Sequence, residues 1–334
     1  MAFPPRISLS GTNYEIGYNH GKLLKDQIVR QINLYYQMFE SLSKLDREGV
    51  HNRASEYEAT IKKLAPNIHL ELVGIAEGAG VDLVDIVALN VRSEIALGEF
   101  KDGCTSISWK IVGEDEIKQH GKPTIKIVTE AGIVGKIGYN DASVGVLLNA
   151  LRSSPVDTSK LPIHIILRLC LECSSTTEAI SLIEKYGVAS AQHILIADPN
   201  VASGLELSPI QSHYMTPNSD GFLAHTNHPI ENMHIKETMP FAGSKDRLAR
   251  SYELMKEIPP TKASVEMLRD IIFSDKANGN YAICGPECPD KPTWTRTMTL
   301  FNIVMQFRLT ERPIAKVVFT TAPDGLFDKN IIDL

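Results

Sequence analysis

The sequence has few cysteines and no long apolar run, and both shortages limit what the protein can be. Five cysteines in 334 residues are an odd number and too sparse for a disulfide scaffold, so we expect reduced thiols. No segment reaches the ~20 apolar residues of a membrane span, and the start of the chain lacks a basic stretch followed by an apolar core. We therefore expect a soluble, cytoplasmic protein with no membrane partner.

The sequence also lacks the patterns of nucleic-acid, metal and nucleotide sites. Its formal net charge is -6 at pH 7, with no cluster of Lys or Arg to bind nucleic acid. None of the ten histidines belongs to an H-E-x-x-H motif, and the glycines of GIVGKIG lack phosphate-loop spacing. We expect no metal and no bound cofactor, and a small molecule as the substrate.

Four cysteines have a spacing similar to that of a zinc site: Cys170-x2-Cys173 and Cys284-x3-Cys288 could form a four-thiolate set. The first pair, however, lies in an apolar helical run, and Cys288 stands between Glu and Pro. We favour buried and surface thiols over a metal site.

What the sequence does contain is a change of pattern near residue 103. Before that point the chain has helical periodicity. The predicted helices cover about 13–45, with Thr12 or Asn13 as the N-cap, then 54–80, and then 82–98 with Asp82 as the N-cap. The apolar stripe of the first helix comprises Ile16, His20, Leu23, Leu24, Ile28, Ile32, Tyr35, Tyr36 and Phe39.

After residue 103, short β-branched runs replace the helical pattern. The segments SISWKIV, TIKIVTE, IVGKIGY and VGVLLNAL predict an antiparallel meander. Helices are predicted after Pro162 and after Ser175 or Thr176, strands again to about residue 217, a mainly helical segment over 245–274, and a closing hairpin. We therefore expect one α+β domain, with sheet packed on sheet under helices.

The tetrapeptide Asp-Gly-Cys-Thr, residues 102–105, lies at this break. Cleavage before Cys104 would free an α-amine, which can act as the base for the Cys104 thiol because its reference pKa of ~7.7–8.0 lies near neutral pH. Gly103 would permit the strained backbone that such an attack requires. From these four residues alone, however, a turn followed by a buried cysteine is the favoured interpretation.

Longer motifs reverse that preference. They are EIGYNHG (15–21), GIAEGAGVDLVDIVALNVRSE (74–94), DGCTS (102–106), PTIKIVTEAGIVGKIGYN (123–140), AHTNH (224–228), NYAIC (280–284) and RTMTLFNIV (296–304). Together they resemble the penicillin acyltransferase family, the isopenicillin-N N-acyltransferase-like group of the N-terminal-nucleophile hydrolases. The resemblance implies an αββα sandwich, self-cleavage between Gly103 and Cys104, and a heterodimer of residues 1–103 and 104–334 that stays associated.

The resemblance also implies roles for single residues. Asn227 matches the oxyanion-hole amide of the family, and Arg296 matches an arginine that holds a substrate carboxylate through its planar fork. By spacing alone, Asn227 would be a turn asparagine and Arg296 a surface arginine.

The implied activity is transfer of an acyl group, from acyl-CoA or an amide, to an amine of a small molecule, as in the secondary metabolism of β-lactam-type or peptide-derived compounds. Hydrolysis of small N-acyl compounds is the alternative. Both reactions share one mechanism up to deacylation, so the sequence does not choose between them.

One family motif is missing. Members of the family carry an Asn-Trp-Asp motif between the cysteine strand and the Pro-Thr-Ile strand, and its aspartate contacts the substrate. Here the chain runs from Trp109 to His120 without it, and Asp115 and Glu116 stand on an apparent turn. Either the pocket is remodelled, or the sequence is an inactive relic or a truncated gene model.

Overall fold

Helices form the first part of the chain. The computed structural model describes residues 5–96, 103–109, 123–238, 240–259, 263–286, 298–309, 311–319 and 331–334. Before residue 97 the helices are α1 (Asn13–Leu23), α2 (Lys25–Met38), α3 (Arg47–Leu64), α4 (Pro66–Ala79), α5 (Leu83–Asn90) and α6 (Arg92–Ile95). The described part of this region contains no strand, as the sequence predicted.

The three helices predicted before residue 103 are each divided in the structure, the third of them into α5 and α6. Thr12 caps α1 as predicted, through a reciprocal pair of hydrogen bonds with Glu15. The helix then ends before Leu24, so Leu23 is 58% exposed and does not join the predicted apolar stripe. The second helix is divided at Pro66, because a residue that precedes proline is disfavoured in the helical conformation. Asp82 stands at the start of α5 but makes no side-chain cap.

Helices α1 and α4 touch through their backbones. A Cβ atom added at Gly17 would lie 2.0 Å from the carbonyl oxygen of Glu71, and one added at Gly74 would lie 2.3 Å from that of Tyr14. Only glycine fits where two helices approach so closely. Glycines of two of the family-like motifs are therefore required for the packing of the helical segment.

The strands form three sheets in the described residues. Their bounds are β1 (Ser106–Trp109), β2 (Ile125–Val128), β3 (Ile137–Asn140), β4 (Gly145–Ala150), β5 (Gln192–Ala197), β6 (Ala202–Leu207), β7 (His213–Met215), β8 (Phe222–His225), β9 (Phe301–Gln306), β10 (Ile314–Phe319) and β11 (Ile331–Asp333). Strands β2 to β7 form one antiparallel sheet in chain order, and β9 to β11 form another. The remaining helices are α7 (Ile163–Cys170), α8 (Thr176–Tyr186), α9 (Ser244–Glu257) and α10 (Val265–Met267).

The predicted meander and hairpin are confirmed, with one correction. Strand β1 does not pair with β2 but with β8, which follows it by more than a hundred residues. Local sequence indicates that a strand exists, but its partner depends on long-range contacts. Ser175 caps α8 as predicted, by accepting a hydrogen bond from the backbone of Glu178.

Both faces of the six-stranded sheet pack against other parts of the protein. Successive side chains of a strand point to opposite faces, so two neighbouring residues of β5 show the two contacts. Ile194 of β5 packs into the large core that contains the helices of the first segment. The next residue, Leu195, packs on the other face against Leu223 of β8. On the other face of the β1–β8 pair, Phe222 of β8 packs against Leu254 of α9. The fold is therefore a mixed α+β fold with N-terminal helices. Within the described ranges, no helix has the length and apolar character needed to span a bilayer.

Candidate active site

Cys104 lies two residues before β1, at the end of the β1–β8 pair. Its backbone N–H donates a hydrogen bond to Oδ1 of Asn227 at 2.7 Å. The antiparallel register sets Ser106 opposite His225, and the same register continued by two positions sets residue 104 opposite residue 227. Strand pairing thus brings together two predicted catalytic residues that are 123 positions apart.

The side chain of Asn227 is buried and fixed in orientation. Its Oδ1 faces two donors, the Cys104 N–H and Nη2 of Arg247 at 2.8 Å. Its Nδ2 donates to the carbonyl of Ala150 at 3.0 Å, and its backbone N–H donates to Oγ of Ser244 at 2.8 Å. An amide nitrogen carries two hydrogens, and Ala150 takes one of them. This geometry is suited to an amide that also donates to a developing oxyanion.

Arg247, in the first turn of α9, is part of the site and was missed in the sequence. Its Nη1 donates to the carbonyl oxygen of Cys104 at 2.5 Å and to Oγ1 of Thr105 at 3.0 Å. Burial lowers the pKa of the Arg247 guanidinium, and the neighbouring Cys104 opposes that shift. The weak signal in the sequence was spacing: Ser244 and Arg247 share one face of α9, and both bind Asn227.

Gly103 lies beside the same guanidinium. A Cβ atom at this position would lie 3.4 Å from Nη2 of Arg247, an ordinary contact. Lack of space therefore does not explain the glycine before Cys104. The contact does place a cation next to the Gly103–Cys104 peptide bond.

In the AHTNH motif, Thr226 and His228 share one buried partner, Ser244. Thr226 donates from its hydroxyl to the carbonyl of Ser244 at 2.9 Å, and Nδ1 of His228 lies 2.8 Å from the Ser244 hydroxyl. Burial lowers the pKa of His228 to about 4, so this imidazole is neutral at pH 7. The motif is a packed support for Asn227 rather than an exposed turn.

Some of the predicted residues are not placed by the structure. Arg296, Cys288 and the segment 110–122, where the family motif is missing, all lie outside the described residues. Cys170 and Cys173 are buried free thiols. Across the described ranges, no group of three or more His, Cys, Asp and Glu is arranged to hold a metal ion.

Comparisons with known proteins identify the family. Residues 115–311 match the profile of the family described as acyl-coenzyme A:6-aminopenicillanic acid acyl-transferase. The chain is also 33% identical over 322 residues to the 40 kDa form of the acyl-coenzyme A:6-aminopenicillanic-acid-acyltransferase of Emericella nidulans, with 89% of this chain and 88% of the relative covered. The chain belongs to this acyltransferase family. The resemblance seen in the sequence is thereby confirmed.

The match to the family profile contains Asn227, Arg247 and Arg296 and begins after Cys104. Among solved structures, penicillin V acylase from Agrobacterium tumefaciens is similar, with a TM-score of 0.44 and 13% identity, over 70% of this chain and 77% of that one.

Proposed function

We propose that the protein is a self-processing cysteine acyltransferase of the N-terminal-nucleophile type, with Cys104 as the nucleophile. The observation that carries the proposal is the 2.7 Å contact between the Cys104 nitrogen and Oδ1 of the buried Asn227. After cleavage, this nitrogen becomes the α-amine that serves as the base. A hydrogen-bond acceptor at that position fixes the orientation of the amine relative to the thiol of the same residue.

In the maturation step, the thiol of Cys104 attacks the carbonyl carbon of Gly103. The peptide C–N bond breaks, its nitrogen takes up a proton as the Cys104 amine, and a thioester between Gly103 and Cys104 forms. Water then hydrolyses the thioester and leaves the Gly103 carboxylate and the free thiol. The Arg247 guanidinium beside Gly103 stabilises the oxyanion of the tetrahedral intermediate.

Turnover uses the same groups. The thiol of Cys104 attacks the carbonyl carbon of the acyl donor, while its proton passes to the α-amine. The bond from that carbon to the leaving group breaks, the leaving group (CoA, for an acyl-CoA) departs with the proton, and an acyl-thioester remains on Cys104. Nδ2 of Asn227 donates to the oxyanion. An incoming amine then takes the acyl group and regenerates the thiol.

Buried polar contacts hold residues 1–103 and 104–334 together after cleavage. Asn90 donates to the carbonyl of Gly132 at 2.8 Å and accepts from the amide of Val134 at 2.9 Å. Arg92 pairs with Glu130 at 2.9 Å. Separation of the chains would break these contacts, and a typical hydrogen bond contributes ~0.5–1.5 kcal/mol net. The protein's own cleaved segment is its proposed partner, in a four-layer αββα sandwich.

The description of the family supports a proposal for the substrates. Its description contains an acyl-coenzyme A and an acid that bears an amine. We propose an acyl-CoA donor and a small amine acceptor of secondary metabolism whose carboxylate binds Arg296.

The test is to incubate mature protein with an acyl-CoA and a carboxylated amine. Transfer predicts one N-acyl product for each CoA released. CoA release, or amide cleavage, with water as the sole acceptor would instead support an amidohydrolase, and an uncleaved, inert chain would support a relic.

A further inference from the structure

Two rows of polar side chains face each other next to the site. In the six-stranded sheet, His193 is directly opposite Asn149 of β4 on one side and Glu206 of β6 on the other. In the β1–β8 pair, Ser106 is opposite His225. All five are buried, and we call them the polar layer. Polar groups are costly to bury in an apolar core unless they are paired.

The two rows are connected directly. The Ser106 hydroxyl donates to Oδ1 of Asn149 at 2.5 Å, and Nδ1 of His193 lies 2.8 Å from the same oxygen. The rings of His193 and His225 stack with centroids 3.6 Å apart and planes 8° apart. The polar layer therefore joins β1, which begins two residues after Cys104, to the larger sheet.

The hydrogen bonds of His225 indicate its charge. Its Nδ1 lies 2.8 Å from the carbonyl oxygen of Thr226, and its Nε2 lies 2.8 Å from Oε1 of Glu206. A carbonyl oxygen only accepts, so Nδ1 carries a hydrogen. Nε2 also carries one if Glu206 is ionised.

Glu206 is surrounded by donors. Its carboxylate accepts hydrogen bonds from the backbone N–H groups of Ile230, Glu231 and Asn232 at 2.5–3.0 Å. Burial alone raises the pKa of Glu206, but these donors together with His225 hold it below its usual value. The carboxylate is therefore ionised at neutral pH, and its Oε1 is an acceptor that faces Nε2 of His225.

His193, stacked on His225, is neutral. Burial lowers the pKa of His193 well below its ordinary value, and His225 adds to the shift. Its Nε2 lies against β6, because a Cβ atom added at Gly204 would approach it to 2.8 Å. His193 is therefore the neutral ring of the stack.

We propose that His225 is a buried imidazolium, fixed by Glu206, that acts as a positioning residue and favours the anionic forms of the site at Cys104. The role of His225 in catalysis rests on the proposed function, whereas its charge is inferred from its hydrogen bonds alone. Two positions along a strand correspond to ~7 Å. At that distance and an effective dielectric constant of ~20, an isolated unit charge would change a protonation midpoint by about one to two pH units. The carboxylate of Glu206, 2.8 Å from His225, cancels part of this effect, so the net change at Cys104 is smaller. Ionisable groups close to His225 include Glu206, His193 and His228.

The first test is independent of activity. Nitrogen NMR of the full chain, labelled with ¹⁵N-histidine, reports the protonation of each ring at pH 7.5. We expect protons on both ring nitrogens of His225, assigned through its contacts with His193, and one unprotonated nitrogen each in His193 and His228. An unprotonated ring nitrogen in His225 would overturn the proposal, and this measurement needs no variant.

The second test compares two Glu→Gln variants. Glu206→Gln removes the partner of His225, whereas Glu231→Gln removes that of His213, an exposed His–Glu pair at 2.7 Å. Because Glu206→Gln removes the carboxylate and, with it, the proton of His225, the net charge is unchanged and only the nearer positive end of the pair is lost. We expect the midpoint pH of Cys104 alkylation, read by peptide mass spectrometry, to rise by less than about one unit in Glu206→Gln and to stay unchanged in Glu231→Gln. Equal midpoints in two folded variants would contradict the role at Cys104. Alkylation requires no turnover, so failure of the proposed function would be seen separately.

Discussion

The backbone nitrogen of Cys104 and the side-chain oxygen of Asn227 lie 2.7 Å apart, although one residue precedes β1 and the other follows β8. The contact exists because these two strands pair in antiparallel register. Asn227 is in turn held by Arg247 and Ala150. The proposed catalytic centre is thus assembled at one end of a two-stranded ribbon, next to the larger sheet.

Replacement of Asn227 by alanine should slow turnover without unfolding the protein. Loss of one oxyanion donor costs ~100-fold or more in the rate of acyl-transfer enzymes, and we expect the same for kcat here. The measurement is the steady-state rate of mature protein, with circular dichroism to show folding.

The variant Asn227→Asp separates the two ends of the side chain. It keeps an oxygen for the Cys104 nitrogen but replaces the Nδ2 donor with a second acceptor. We expect it to be as slow as the alanine variant. A rate equal to that of the parent would remove the donor from the mechanism.

Arg247→Lys should reduce both self-cleavage and turnover. Lysine keeps the charge but lacks the planar fork, and it cannot reach Cys104, Thr105 and Asn227 together. A hydrogen bond to a charged group contributes ~1.5–3 kcal/mol, which corresponds to a rate loss of about 10- to 150-fold. The control is Arg250→Lys, one turn further along α9, where the arginine pairs with Asp275. Similar rates in the two variants would contradict the role of Arg247.

Gly17→Ala should destabilise the helical segment. The new Cβ would lie 2.0 Å from the backbone oxygen of Glu71, so the helices must separate, and overpacking costs ~1–3 kcal/mol or more. We expect the free energy of unfolding in urea to fall by about 2 kcal/mol. Gly285→Ala, where the nearest atom lies at 3.8 Å, should leave it within about 0.5 kcal/mol. A neutral result for Gly17→Ala would show that the two helices do not pack so closely.

Local physics accounts for the parts of the fold that the sequence predicted. The capping box of Thr12, the cap of Ser175 and the β-branched runs of the meander are all set by neighbours within a few residues. The break at Leu24 was not predicted because apolar periodicity continues across it. The pairing of β1 with β8 was not predicted because it depends on contacts across the whole chain.

The same distinction applies to the site. Cys104 and Asn227 were predicted from motifs that resemble a family, and the structure brings them together. Arg247 and His193 were missed, because a buried arginine at the start of a helix and a buried histidine in a strand have no pattern of their own. Their neighbours come from distant segments, such as Asn149 for His193.

Arg296→Lys should weaken the binding of acceptors that carry a carboxylate. Lysine loses bidentate hydrogen bonding, so we expect the Michaelis constant for such amines to rise about tenfold and that for uncharged analogues to stay the same. The comparison of the two acceptor series is the measurement. An unchanged constant for the acids in a folded variant would remove Arg296 from the binding site.

Self-cleavage between Gly103 and Cys104 should depend on the nucleophile at position 104, and variants of Cys104 test this dependence. Cys104→Ala should remain a single chain, because no nucleophile remains. Cys104→Ser should cleave slowly, because a hydroxyl is the poorer nucleophile. An outside protease would require only an accessible loop and would cleave all three proteins alike.

Intact mass spectrometry of freshly purified protein during incubation tests self-cleavage most directly. The account predicts two species, residues 1–103 and 104–334, whose masses sum to that of the full chain plus one water, and their absence in Cys104→Ala. A single full-length species that persists through long incubation would contradict it.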